Sequence, residues 1–263
     1  MSTASVTHRP SWFAVAWAIA RRNLMGVRRN PAAFIPSLVF PFLFIVALSG
    51  AYSGVAKVPG FPVEKLVTWM LPFTVVQSAA ITGMTTGLGV IGSIQTKFYD
   101  RLLMAPVPRS ALVGGLYLSA MVRALIPTVL VTILGFAQGA ALPGGVLGYL
   151  ILILAGQGAC LLGAGWGIGM ALRVKTFAAA PILFMATFLA TFLTPVQVPL
   201  GFLTGWLATA ARWNPVTKLV NMARSGFVST VHWSDVGPGL TVTVVGAILL
   251  GIFAVRGQRA LDH

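Results

Sequence analysis

The residues best suited to recognition chemistry lie together at residues 100–110, DRLLMAPVPRS, between two long runs that carry almost no charge. Asp100, Arg101 and Arg109 flank Leu102, Leu103, Met104 and Pro106. Charged groups in an otherwise apolar chain must face water or a partner protein. The combination fits docking better than catalysis: apolar side chains to fill a groove, and opposite charges to fix its orientation. A simpler use also stands, in which Asp100 and Arg101 only cap a helix and fill a solvated loop.

Other chemistry is poorly provided for. Only four acidic residues occur, Glu64, Asp100, Asp235 and Asp262, all outside or at the ends of the apolar runs. A proton- or sodium-coupled carrier, or a channel acting alone, would be supported by carboxylates inside the bilayer or an inverted repeat, and neither is found. His8, His232 and His263 offer no triad or metal cluster, and Cys160, the single cysteine, sits within an apolar run. No G-x-x-x-x-G-K-[ST] loop is present, so the chain has no phosphate cradle. It is expected to be no enzyme and to bind no cofactor or metal, and energy for transport must come from elsewhere.

The elements that position the segment are set by hydrophobicity. With 57% hydrophobic and 8% charged residues and a mean hydropathy of +0.90, the chain needs a bilayer as solvent. Its 263 residues hold about six spans of roughly 20 residues and no sizeable soluble domain. The net charge of +14 is spread in clusters at span ends, so nucleic acid is not an expected partner. The fold class is an all-α integral membrane protein with six transmembrane helices, one domain over residues 1–263.

Residues 11–30 pair a short apolar stretch with Arg21, Arg22, Arg28 and Arg29. Phe13, Trp17, Ala20, Leu24 and Val27 share one helical stripe and the arginines another arc, as in an interfacial amphipathic helix. Its charge follows the apolar part, unlike a signal peptide, so it is expected to be retained. Spans are expected at 33–56, 66–94, 111–137, 146–172, 177–196 and 236–255. Residues 197–235 are broken by Gly, Pro, Asn, Arg and Lys into helices too short to cross, read as a re-entrant or surface-lying pair. Gly83/Gly87 and Gly165/Gly169 have small-xxx-small spacing and are read as packing.

Counting charges orients the chain. One side receives Arg9, Arg21, Arg22, Arg28, Arg29, Lys97, Arg101, Arg109, Arg173, Lys175, Arg256 and Arg259, and the other only Lys57, Lys65, Arg212, Lys218 and Arg224. Both termini and the 100–110 segment are therefore expected in the cytoplasm, with the protein in the cell membrane.

Two motifs at the right separation resemble the type-2 ABC exporter permeases, most closely the daunorubicin-resistance-type drug and lipid exporters. One is Asp100-Arg101 through Pro106, Arg109 and Ser110. The other covers 192–226: Thr-Pro-Val-x-Val-Pro including Pro195 and Pro199, a tryptophan-bearing helix, Asn214-Pro215-Val216-Thr217, and Arg224. The resemblance spans nearly the whole chain. It implies a coupling helix at 95–106, re-entrant external helices before the last span, a second permease subunit, homo- or heteromeric, and a cytoplasmic ABC ATPase subunit that binds ATP and Mg. It departs at Ala120, where many relatives carry an acidic residue three positions before the arginine matching Arg123.

Several residues keep two readings. Leu102, Leu103 and Met104 are expected to fill an ATPase groove, oriented by Asp100, Arg101 and Arg109. The arginines of 11–30 either anchor to membrane lipids or also touch the ATPase. Arg123, well inside its span, either snorkels or pairs with carbonyls, or lies on the substrate path. Asn214 and Pro215 read as a helix cap and first turn, or, through the resemblance, with Pro195, Pro199 and Arg224 as an external gate. A polysaccharide or glycolipid exporter is the alternative cargo class, although 177–196 shows little polar lining beyond Thr187 and Thr191.

Overall fold

A computed structural model describes residues 11–29, 35–104 and 107–259; expected features at Arg9, Pro106, Asp262 and both chain ends lie outside them. The described residues are helical, with α1 Trp12–Arg29, α2 Ile35–Ala51, α3 Leu66–Gln95, α4 Phe98–Leu103, α5 Arg109–Ala137, α6 Gly145–Val174, α7 Ala180–Phe192, α8 Gly205–Trp213, α9 Pro215–Val228 and α10 Trp233–Arg259. Short 3-10 turns precede α7 and α8.

Four of these, α3, α5, α6 and α10, are long and apolar enough to cross a membrane. The first and fifth expected spans are shorter. Helix α2 has 17 residues, with Pro41 inside it, and α7 has 13 because its first turn is 3-10 and it ends ahead of Pro195. Proline ends or bends helices because it lacks an N–H and clashes with the preceding turn. Three rings tie both short helices to α3: Phe44 of α2, Phe73 of α3 and Phe192 of α7 meet with centroids 5.5–5.8 Å apart.

Helix α3 is the axis of the bundle, its most apolar stretch wholly buried. It lies backbone to backbone on α6, and the sequence permits this through glycine. A β-carbon at Gly83 would collide with the Cys160 carbonyl, one at Gly163 with the Ala80 carbonyl, and one at Gly167 with the Met84 carbonyl. Where lipid removes the hydrophobic drive between helices, such close approach provides the van der Waals contact that holds them. Gly83/Gly87 therefore pack as expected, opposite Gly163 and Gly167. Gly165 and Gly169 face away from α3, toward Leu250 and Phe253 of α10.

The expected helix at residues 11–30 forms as α1, and it packs along the first turns of α5. Trp12 Nε1 donates to Ser110 Oγ at 3.1 Å and Asn23 Nδ2 to Ser119 Oγ at 3.4 Å. Of the expected apolar stripe Ala20 is buried and Leu24 half-buried, whereas Phe13 and Trp17 are exposed; Ala16 and Ile19, outside that stripe, are buried instead. Periodicity identified an apolar face, but Gly114 and Gly115 on α5 selected which part of it is buried, since each abuts α1 without room for a β-carbon.

The α3–α6 contact yields a first prediction. Gly83→Leu should cost about 3 kcal/mol, the upper end of the usual overpacking range, because the obstacle is backbone that cannot turn aside. Gly89→Ala, with nothing within 4 Å, should be neutral. Thermal unfolding in detergent checks this: equal midpoints for the two variants would contradict it.

Candidate functional site

Three groups of expected residues separate in the structure. The first is α4. Helix α3 stops at Gln95, and Lys97 takes a left-handed backbone (φ 56°) that starts the chain in a new direction before α4 begins at Phe98. The helix is thus shorter than the expected 95–106 segment, and it carries Asp100, Arg101, Leu102 and Leu103 on its six residues. Arg101 is exposed, Met104 just beyond it is 79% exposed, and Arg109 is exposed at the start of α5. Leu102 instead packs partly against the core, so it cannot fill an outside groove as fully as Met104 can. The side chains of Asp100 and Leu103 lie outside the described ones, and so do those of Arg28 and Arg29.

Sequence reasoning missed what fastens α4. Tyr99, beside Asp100, points inward at 3% exposure and accepts a 2.9 Å hydrogen bond from Gln258 Nε2, near the end of α10. Burial raises the Tyr99 phenol above its ordinary pKa, against smaller opposing effects of the Gln258 bond and the Arg109 charge, so it stays protonated. Phe98 lies under the Arg22 guanidinium, 3.5 Å from ring centroid to Cζ, which links α1 to α4. Arg21 is exposed. A tyrosine beside an acid–base pair and an amide between terminal arginines were the available signals, and neither has a sequence pattern of its own.

The second group lies at the opposite end of the bundle and reaches inward. Asn214, between α8 and α9, serves two helices at once. Its Oδ1 accepts the Val216 N–H at 2.9 Å, capping α9 with Pro215 at the first position, as expected. Its Nδ2 donates to the carbonyls of Ala190 and Leu193, at 2.6 and 3.0 Å, closing the end of α7. Pro195 is buried after that end, and Pro199 caps the 3-10 turn before α8.

Arg224 of α9 is 3% exposed. Its Nε donates to the Trp69 carbonyl at 3.1 Å, its Nη2 to the Val196 carbonyl at 2.9 Å, and its Cζ sits 3.8 Å over the Trp69 ring. Planar geometry allows one guanidinium to make both bonds and the stack, which a lysine ammonium cannot do. Trp69 was not expected as a partner. Two residues on, Gly226 lies against the backbone of Gly144 and Gly148, pressing α9 onto the start of α6.

Pro215 and Val216 close one wall of an apolar cavity of about 320 Å³, with Ala80 of α3, Ala159 of α6, Thr187 of α7 and Leu250 of α10 among the others. Ala80 and Ala159 are the central residues of their helices, so the α8–α9 junction reaches mid-height. Thr187 and Thr191 donate to carbonyls one turn back, leaving the cavity without a free hydroxyl proton from either.

Arg123, the third group, is half-buried on α5, where Nε donates to the Ser119 carbonyl at 3.4 Å and Nη2 to Thr86 Oγ1 on α3. Its partners are neutral oxygens. Among the described residues no cluster of three or more His, Cys, Asp or Glu could hold a metal ion.

Comparison with known proteins places these features in context. The profile of the family described as ABC-2 type transporter matches residues 14–228. A curated protein of Streptomyces coeruleorubidus, "Daunorubicin resistance ABC transporter permease protein DrrB1", is 24% identical over 247 residues, covering 90% of this chain and 82% of that one. The "Putative transport permease ycf38" of Porphyra purpurea is 22% identical over 259 residues, covering 89% and 86%.

Loss of these donors should be costly. Asn214→Asp keeps the cap on α9 but deprives two carbonyls of their donor, and Arg224→Lys breaks the fork over Trp69. Arg224→Lys should lower stability by about 2 kcal/mol, the scale of a buried polar group left unpaired, and Asn214→Asp, at a half-buried side chain, by about 1 kcal/mol. Thermal unfolding of the purified chain reads this out, and wild-type midpoints for both would show that these bonds hold nothing.

Proposed function

The chain belongs to the ABC-2 type transporter family, and from that membership we propose that it is the membrane half of an ATP-driven exporter. It is an ABC transporter permease and a multi-pass membrane protein. In our reading it moves a drug-like, lipid or other amphipathic molecule outward across the cytoplasmic membrane. The single observation that carries the coupling assignment is α4: a short helix with Arg101 and Met104 turned outward, on a chain that has no phosphate-binding loop of its own. Such a surface suits docking to a separate ATPase, which would bind ATP and Mg.

On this reading α2 and α7 complete six spans, short ones supported by the Phe44–Phe73–Phe192 contact. Helix α1 and its arginines lie at the cytoplasmic surface, where anionic headgroups attract them. Both termini are cytoplasmic, and α8 and α9 form a re-entrant pair entering from outside. Two permease subunits share the substrate path, and ATP-driven closure of the ATPases moves α4 and rearranges the two halves. A drug-like cargo is supported by the name of the Streptomyces coeruleorubidus relative, and an amphipathic one by the apolar cavity beside Pro215 and Val216.

Replacing Asp100 and Arg101 together with alanine should reduce co-purification of the ATPase about tenfold, or roughly 1.4 kcal/mol of binding, as expected for oriented charges at an interface. ATP hydrolysis by the purified complex should fall in parallel. Wild-type recovery and hydrolysis would show that coupling does not pass through this segment.

A further inference from the structure

Docking at α4 leaves one interaction without a role. Tyr99 and Gln258 are 159 positions apart and 3% and 1% exposed, yet they are joined by a 2.9 Å hydrogen bond. The same Gln258 Nε2 lies 3.4 Å from the Arg109 carbonyl, so one amide nitrogen reaches both flanks of the outward-facing segment. Packing alone does not account for the amide. Gln258 Oε1 is buried with no partner among the described residues, and a leucine in its place would fill the space without an orphaned acceptor. We propose that Tyr99 and Gln258 are positioning residues, a latch that carries displacement of α4 into α10. The proposal rests on the ATP-coupled reading of α4 and deepens it.

A six-residue helix is too short to hold its shape unaided, so its response to a push depends on what it is tied to. The outward face bears Arg101 and Met104, and the inward face delivers the tyrosine to the last turns of α10. From there α10 runs back through the bundle as a continuous helix. Phe253 stacks on Trp166 of α6 at 6.3 Å and lies under the Arg173 guanidinium at 3.7 Å. Leu250 forms part of the cavity wall, and Gly239, with no side chain to hold it off, approaches Met222 and the Lys218 carbonyl of α9. From Gln258 to Gly239 a single rod of about 28 Å, at 1.5 Å per residue, thus connects the latch with the helix carrying Arg224.

The test uses the full-length chain purified with its ATPase subunit, comparing Tyr99→Phe, Gln258→Leu and the double variant. Each should retain the ATPase but lower the kcat of permease-stimulated ATP hydrolysis at least about fivefold, the lower end of coupling between distant sites, with KM for ATP unchanged. The melting midpoint should drop in Tyr99→Phe, where the amide keeps only its 3.4 Å contact with the Arg109 carbonyl, and recover in the double variant, where neither side chain carries an unpaired polar atom. Hydrolysis should stay low in the double variant although stability returns. If hydrolysis recovers with the midpoint, or never falls, the latch is overturned and the bond is structural only. If the wild-type chain does not stimulate its ATPase at all, the coupled reading of α4 fails and the latch with it.

Discussion

Backbone groups inside hydrocarbon must be satisfied by the protein, because no water is there to do it. Much of this architecture follows from that constraint at one point, the junction of α8 and α9. Two helix ends and a chain reversal meet at mid-height of the bundle, leaving carbonyls and N–H groups that would be expensive if bare. Asn214 serves both ends through one side chain, and Arg224 serves Trp69 and Val196. With those five backbone groups paired, α9 can lie against α3 and α6 and close a cavity instead of lying at the surface. The polar residues that break the hydrophobic pattern in 197–235 are therefore the ones that let the chain enter the bundle.

At the other end the constraint is reversed. Polar groups there face outward, and the question is how a six-residue helix keeps its place. It is held from inside by Tyr99, from the side by Arg22 over Phe98, and at its start by the left-handed turn at Lys97. Between the two ends, α3 and α6 meet backbone to backbone at Gly83, Gly163 and Gly167, so the centre of the bundle has little freedom to deform. Motion would pass more readily through peripheral helices such as α10, whose most apolar stretch is largely exposed.

Hydrophobic runs made the all-helical membrane class legible, and the ends of α3, α5 and α6 fell within two residues of expectation. The short α2 and α7 were overestimated, since composition alone does not show where proline and a 3-10 turn take over. Asn214 could be read as a cap for α9 because capping is local in sequence. Its grip on Ala190 and Leu193 could not, because it depends on folding. Likewise Arg224 stood out as a charge in an apolar region, whereas Trp69, 155 positions away, carries no mark of being its partner. The stripe on α1 was correct as an amphipathic pattern but misplaced as a burial pattern, because its glycine-rich receptor on α5 decides which residues are covered.

Energy entering an ABC permease through α4 is the centre of this account, and a photo-crosslinking amino acid at Met104 tests it most directly. Met104 is 79% exposed beside α4, and Trp233, 67% exposed at the opposite end of the bundle, is the control. The account predicts that the probe at 104 captures a protein whose peptides include a P-loop, and that the probe at 233 does not. Capture of that ATPase from 233, or from neither position while the purified complex still hydrolyses ATP, would contradict it.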